Sequence, residues 1–159
     1  MNYPIRRVVT GHDQNGKAIV MIDEISTNVI SRRPGQQGCV VWTTEGYPVN
    51  NDAHEDEALR PVATALPNGT VFRINKLEPG VAGRLHRTDT IDYAIMMSGE
   101  CDMDLEEGVS VHLKAGDVLV QRGTIHNWRN NGTETCIIAF ILIDAKPVEV
   151  GGKRLDAVG

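Results

Sequence analysis

Two histidines and an acid occur at spacings that suit one shared site. The segment RLHRTDTIDYAIMMSGE, Arg84 to Glu100, carries His86, Thr88 and Asp92 ahead of an apolar run. Downstream, GDVLVQRGTIHNWRN carries Gln121, His126 and Trp128. In an extended chain, side chains i and i+2 share a face. His86 and Thr88 therefore point one way, as do His126 and Trp128, and Asp92 follows across a short bend. If the two segments meet inside a barrel, two imidazoles, a carboxylate, a hydroxyl and an indole converge on its interior. Two histidines with one carboxylate are the facial-triad ligand set, which holds a divalent metal and leaves positions open to water or substrate. Without metal, the same residues make an acid–base dyad, Asp92 with His86 or with His126. The carboxylate would then fix the imidazole tautomer and stabilise the imidazolium. A buried carboxylate is costly unless paired or coordinated, so an inward-facing Asp92 needs donors on either reading.

Other residues fall into supporting places. Trp128 suits an apolar wall against a planar substrate. Ala94 and Met96 share the face of Asp92 and are expected to line the cavity, whereas Tyr93 and Met97 face away. Arg73 and Lys76 lie on opposite faces of TVFRINKLE, so at most one turns inward, and a solvated or edge role is expected of each. His12, His54 and His112 read as surface residues. Cys39, Cys101 and Cys136 have no metal-ligand spacing and read as reduced, buried small hydrophobes.

Strands must position these groups, because almost no helical period is present. IRRVVT and AIVMID flank GHDQNGK, an Asn-Gly hairpin signal. CVVWTT and TVFRINKLE read as strands, separated by an acidic stretch with one helical turn near HEDEALR. Then IDYAIMMSG, CDMDL, VSVHL, DVLVQ, IHNWRN and ETCIIAFILID follow one another through short turns. CDMDL and VSVHL alternate with period two, and CIIAFILI is apolar throughout, so it is expected to be buried on both faces. EVGGKRLDAVG carries few apolar residues, which predicts a mobile tail. Many short, evenly spaced strands make an all-β antiparallel sandwich or barrel.

The two site segments resemble the paired motifs of the single-domain cupins, small barrels of the jelly-roll type. The first motif is met by Gly80, His86-Arg87-Thr88, Asp92 and Gly99, and the second by Gly116, Gln121-Arg122-Gly123, His126 and Asn130. The first gap of the second motif is one residue short, and this chain departs from the family's residues at three places. Thr88 stands for a second histidine, Asp92 for a glutamate and Gln121 for a proline. The resemblance carries metal ligation directly onto His86 and His126. Asp92 loses roughly 1.5 Å of reach to its missing methylene. A chain of 159 residues with no break in composition makes one domain: N-terminal strands and acidic loop over 1–69, cupin-like core motifs over 70–144, and a tail over 145–159.

The expected function is that of a small-molecule enzyme acting on a carboxylate-, carbonyl- or phenol-bearing metabolite. His86, Asp92 and His126 are its catalytic and metal-binding residues. Thr88, Met96, Gln121 and Trp128 contact substrate, and Gln121 is a further candidate ligand. The metal would be Zn, Fe, Mn or Ni, with lyase, decarboxylase, isomerase and dioxygenase outcomes all open. The alternatives are the metal-free dyad and a non-catalytic metabolite-binding module. A net charge of −5 argues against nucleic acid as a partner. No apolar run is long enough to span a bilayer. Absence of a secretory pattern and an odd cysteine count suit a cytoplasmic protein. The early hairpin suits packing across a partner, and a homodimer is expected.

Overall fold

The computed structural model describes residues 4–52 and 54–159 and is built from antiparallel strands. In chain order these are β1 (Arg6–His12), β2 (Ala18–Ile25), β3 (Val29–Arg33), β4 (Gln36–Glu45), β5 (Gly69–Leu77), β6 (Thr90–Ser98) and β7 (Glu100–Asp104). They continue as β8 (Ser110–Lys114), β9 (Val118–Arg122), β10 (Asn127–Arg129), β11 (Cys136–Asp144), β12 (Val148–Val150) and β13 (Lys153–Leu155). The helical turn expected in the acidic stretch is a 3-10 turn, Glu57–Leu59. Among the described residues no helix is long and apolar enough to cross a membrane.

Two sheets enclose the core. A six-stranded sheet runs β3-β4-β5-β11-β6-β9, and a three-stranded sheet runs β10-β7-β8. Val71, Leu77, Ala94, Met96, Ile138, Phe140 and Leu142 from the first pack with Cys101, Met103, Leu113 and Trp128 from the second. This is the all-β jelly-roll barrel that the alternating strands implied. The apolar run CIIAFILI is β11, central between β5 and β6 and buried from Cys136 through Phe140. A strand covered on both faces needs apolar side chains on both, hence the loss of alternation. On β6 alternation is strict: Asp92, Ala94 and Met96 are buried while Tyr93, Ile95 and Met97 are exposed. The β6–β7 turn depends on Gly99, whose φ is +70°, and an added Cβ would lie 2.6 Å from the Thr135 carbonyl oxygen.

The N-terminal hairpin β1–β2 forms its own two-stranded sheet. It is tied down by Arg7, 4% exposed, whose guanidinium makes two bonds of 2.6 Å to the Asp56 carboxylate and one of 2.6 Å to Glu24. This bidentate pairing locks the acidic stretch over the hairpin.

Two expectations are corrected. β3 was not anticipated, because VISRR has little apolar alternation; it is an edge strand held by its backbone to β4. The tail does not hang free. Gly151 and Gly152, both at positive φ, turn β12 into β13, the geometry a two-residue hairpin favours. Val158 then exchanges two backbone hydrogen bonds with Arg87, of 2.9 and 3.0 Å. Backbone pairing, not apolar packing, orders this segment, so counting apolar side chains misjudged it.

Candidate functional site

A cavity of about 360 Å³ opens between the two sheets. His86, Asp92, His126 and Trp128 line it, with Phe140 and Leu142 of β11 and Val40 of β4. The two motif segments do meet on one interior space. Trp128 is buried and packs edge-on to Phe140, ring centroids 5.2 Å apart, and to His126 at 6.2 Å. The apolar wall is therefore rigid, as edge-to-face aromatic contacts favour.

His86 and His126 form an isolated antiparallel bridge, and their ring centroids are 4.2 Å apart. Nδ1 of His86 lies 2.8 Å from the Arg84 carbonyl oxygen, and Nδ1 of His126 lies 3.0 Å from that of Thr124. A carbonyl only accepts, so each Nδ1 carries the proton and each Nε2 presents a lone pair. Burial, then repulsion from His86, holds His126 down to about 4. Burial also lowers His86; its hydrogen bond to the Arg84 carbonyl opposes this, and the charges of Arg84 and Arg33 add to it. Both rings are neutral near pH 7.

Asp92 is 5% exposed and accepts a 2.6 Å hydrogen bond from the Thr90 hydroxyl. Because Thr90 spends its proton there, the 2.7 Å contact between Thr88 and Thr90 has Thr88 as donor. Thr88, expected to face substrate at the position of a second histidine, instead feeds a hydroxyl chain ending on the carboxylate. Burial raises the Asp92 pKa; Thr90 and the charge of Arg73 oppose that rise. Met96, expected on the cavity wall, lies in the apolar core beside the Cys101 sulfur at 3.8 Å. Gln121 is the cross-strand partner of Asp92, and its Oε1 is buried without a hydrogen-bond partner among the described residues. It is not among the cavity-lining residues.

A three-ligand metal centre does not assemble from these residues. The imidazole pair would suit it, with each Nδ1 fixed by a carbonyl and Nε2 free. Yet Thr88 offers a hydroxyl that is committed to Thr90, and Asp92 is held back by the same residue. Among the described residues no group of three His, Cys, Asp or Glu side chains is placed to hold a metal ion. Of the expected triad, His86 and His126 stand side by side, while Asp92 lines the same cavity with its carboxylate bonded to Thr90. The hydrogen-bonded Asp–His dyad is also not formed, since the polar partner of Asp92 is Thr90.

Arg73 was expected to be solvated or at an edge. It lines the cavity and is not paired with any carboxylate among the described residues. Burial, then repulsion from Arg32, pulls its guanidinium down to about 10, while Asp92 pulls it back up. Arg73 sits opposite Phe140, and its place in the sheet order turns it inward. The sequence offered no sign of that, since alternation leaves open which face is interior. The remaining surface expectations hold: His112 is exposed and salt-bridged to Asp102 at 2.9 Å, and His12 and His54 are exposed. All three cysteines are free and buried.

Residues 73–143 match the family described as Cupin domain. The chain is 39% identical over 168 residues to the cupin-domain-containing oxidoreductase srdD of Neurospora crassa, covering 96% of this chain and 82% of that protein. It is 36% identical over 160 residues to the phomopsin biosynthesis cluster protein C′ of Diaporthe leptostromiformis, covering 96% and 85% respectively. Among solved structures, KdgF from Halomonas sp. aligns with 72% of this chain and 86% of its own, at 16% identity and a TM-score of 0.49.

Proposed function

This chain belongs to the cupin-domain family, and from that premise we propose that it is a small-molecule enzyme that moves protons on a carbonyl-bearing metabolite inside its barrel. The observation that carries the reading is the pairing of shifted groups around one cavity. Asp92 is pushed upward by burial and the imidazoles are pushed downward. Both shifts narrow the gap in proton affinity between the acid and the base, and a narrower gap lowers the cost of moving protons between them and a substrate.

Asp92, protonated, donates to the substrate carbonyl oxygen while His86 Nε2 accepts the proton from the adjacent carbon, leaving a neutral enol and an imidazolium. Where the adjacent carbon carries a hydroxyl, the imidazolium returns its proton to the former carbonyl carbon while that hydroxyl gives its proton to Asp92 and becomes the new carbonyl, which completes an isomerisation and restores both side chains. His126, held near 4, is the weaker base and keeps its partner ring in place through the shared bridge. Trp128 and Phe140 receive the apolar body of the substrate. Relatives named oxidoreductases support an enzymatic role. Moving hydrogen between neighbouring carbons oxidises one and reduces the other without a separate electron acceptor.

Incubation in D₂O with a panel of α-hydroxy ketones and β-keto acids, followed by proton NMR, tests this directly. The wild type is expected to exchange carbon-bound hydrogen of at least one compound, and Asp92→Asn to lose about 10²-fold or more of that rate. Undiminished exchange in Asp92→Asn sinks the assignment. Stoichiometric Zn, Fe, Mn or Ni in the purified protein, lost in His86→Ala, would replace it with metal chemistry.

A further inference from the structure

The cavity is cationic in a protein whose net charge is −5. Arg32, Arg33, Arg73 and Arg84 all line it, against a single carboxylate, Asp92. Among the described residues, five of the seven arginines outside the cavity pair with acids: Arg6 with Asp23, Arg7 with Asp56, Arg60 with Glu57, Arg129 with Asp104 and Arg154 with Asp156. The cavity arginines find carbonyls and an amide. Arg32 and Arg73 both donate to the Ala63 carbonyl oxygen, at 3.0 and 3.2 Å, which holds two guanidinium groups side by side. Arg73 donates also to Thr64, and its Nε is buried with no acceptor. Arg33 is bound to the Gln36 side chain, and Arg84 to the Gly159 carbonyl oxygen.

Like charges brought together in a partly desolvated space repel unless a counter-charge joins them. Guanidinium forks match a carboxylate in a planar, bidentate manner. Phe140 and Leu142 of β11, beside Arg73 in the same sheet, and Trp128 of the facing sheet give the cavity its apolar surface. We propose that the cavity takes an organic carboxylate with an apolar or aromatic body, its charged group received by Arg73 with Arg32 beside it and its body laid against Trp128 and Phe140. This deepens the enzymatic reading by naming the substrate class, and it rests on that reading only in taking the cavity as the substrate site. With the charged group anchored at Arg73, Asp92 lies near enough to feel the same charge. A carbonyl carried close to the carboxylate would then fall between Asp92 and the imidazole pair.

Isothermal titration calorimetry with benzoate, benzyl alcohol and inorganic phosphate tests the proposal on the intact chain. Benzoate is expected to bind at least about tenfold more tightly than benzyl alcohol, the equivalent of one charge-assisted hydrogen bond. Arg73→Gln should weaken benzoate by about tenfold or more while leaving benzyl alcohol within about twofold. Arg73 also holds the stretch around Ala63, so Arg73→Gln may be compared only after its unfolding midpoint matches the wild type. Arg32→Gln, an exposed position, supplies the second measurement and should weaken benzoate alone. Equal affinities for benzoate and benzyl alcohol, no benzoate binding, or benzoate affinity unchanged in both variants would overturn the proposal. Phosphate binding tighter than benzoate would overturn the carboxylate assignment in favour of a phosphate ester. Asp92→Asn should retain benzoate, so failure of the proton-transfer chemistry and failure of anion binding are read separately.

Discussion

His86 and His126 are joined twice through their backbones, His86 N donating to His126 O at 2.9 Å and His126 N to His86 O at 2.8 Å. The two motif segments are therefore locked to each other at the chemical groups themselves, and the 4.2 Å ring separation follows from a β-bridge. Each ring is held in turn by the hydrogen bond from its Nδ1 to a carbonyl, that of Arg84 for His86 and of Thr124 for His126, which keeps the pair together as neutral imidazoles.

That setting makes stability depend on pH. His126 titrates near 4 in the fold and near about 6.5 when unfolded. Between those values the unfolded chain binds more protons, so stability is complete above the upper value and is lost as pH falls through the window. The full effect is on the order of 3 kcal/mol. Urea unfolding of wild type and His126→Gln across this range should show a steep slope in the first and a flatter one in the second. Parallel slopes would mean that His126 is not buried as a neutral ring.

Thr90 works against the burial of Asp92. Thr90→Val removes the donor at 2.6 Å and should move the Asp92 titration, followed by carboxyl carbon NMR, further upward. A stability cost of about 1–3 kcal/mol should accompany it at neutral pH. Thr88→Val breaks only the outer link and should shift the titration less. If Thr90→Val leaves the titration in place, the hydroxyl chain has no influence on the acid.

Asn130 anchors the end of the second motif. It is 1% exposed and donates to the carbonyls of Leu77 and Glu134 while accepting from Gly132 N at 2.9 Å. Asn130→Ala strands those groups and should cost about 3 kcal/mol, lowering the thermal midpoint by roughly 6–12 °C. A midpoint within about 2 °C of wild type would show that water replaces the side chain.

The C-terminal segment supports the site from outside. Deleting residues 157–159 removes the two Val158 bonds to Arg87 and the Gly159 bond to Arg84. Faster hydrogen exchange at the Arg87 amide is expected, with little change at the β11 amides. Unaltered exchange at Arg87 would show that the pairing is not kept in solution.

The hairpin β1–β2 exposes Val8, Val20 and Ile25, each at least half exposed, and among the described residues pairs with no other strand. A homodimer is the expected state, to be checked by sedimentation equilibrium. Val20→Lys should shift it toward monomer, and a wild-type monomer would remove the hairpin as an interface.

Much of this was legible in the residues. Period-two alternation placed Asp92, Ala94 and Met96 on one face, and the unbroken run CIIAFILI marked the central strand. Glycine and histidine spacing brought His86, His126, Asp92 and Trp128 to one interior. Local pattern suffices there because strand geometry is local and side chains alternate regardless of partners. What the tertiary structure alone decided is distance and direction across the barrel. Thr88 turned to Thr90, Asp92 stayed out of a three-ligand cluster, and Met96 went to the core while Arg73 came to the cavity. Those outcomes depend on which strands become neighbours and on which rotamer fills the space between them. No spacing along a chain encodes a separation between its sheets.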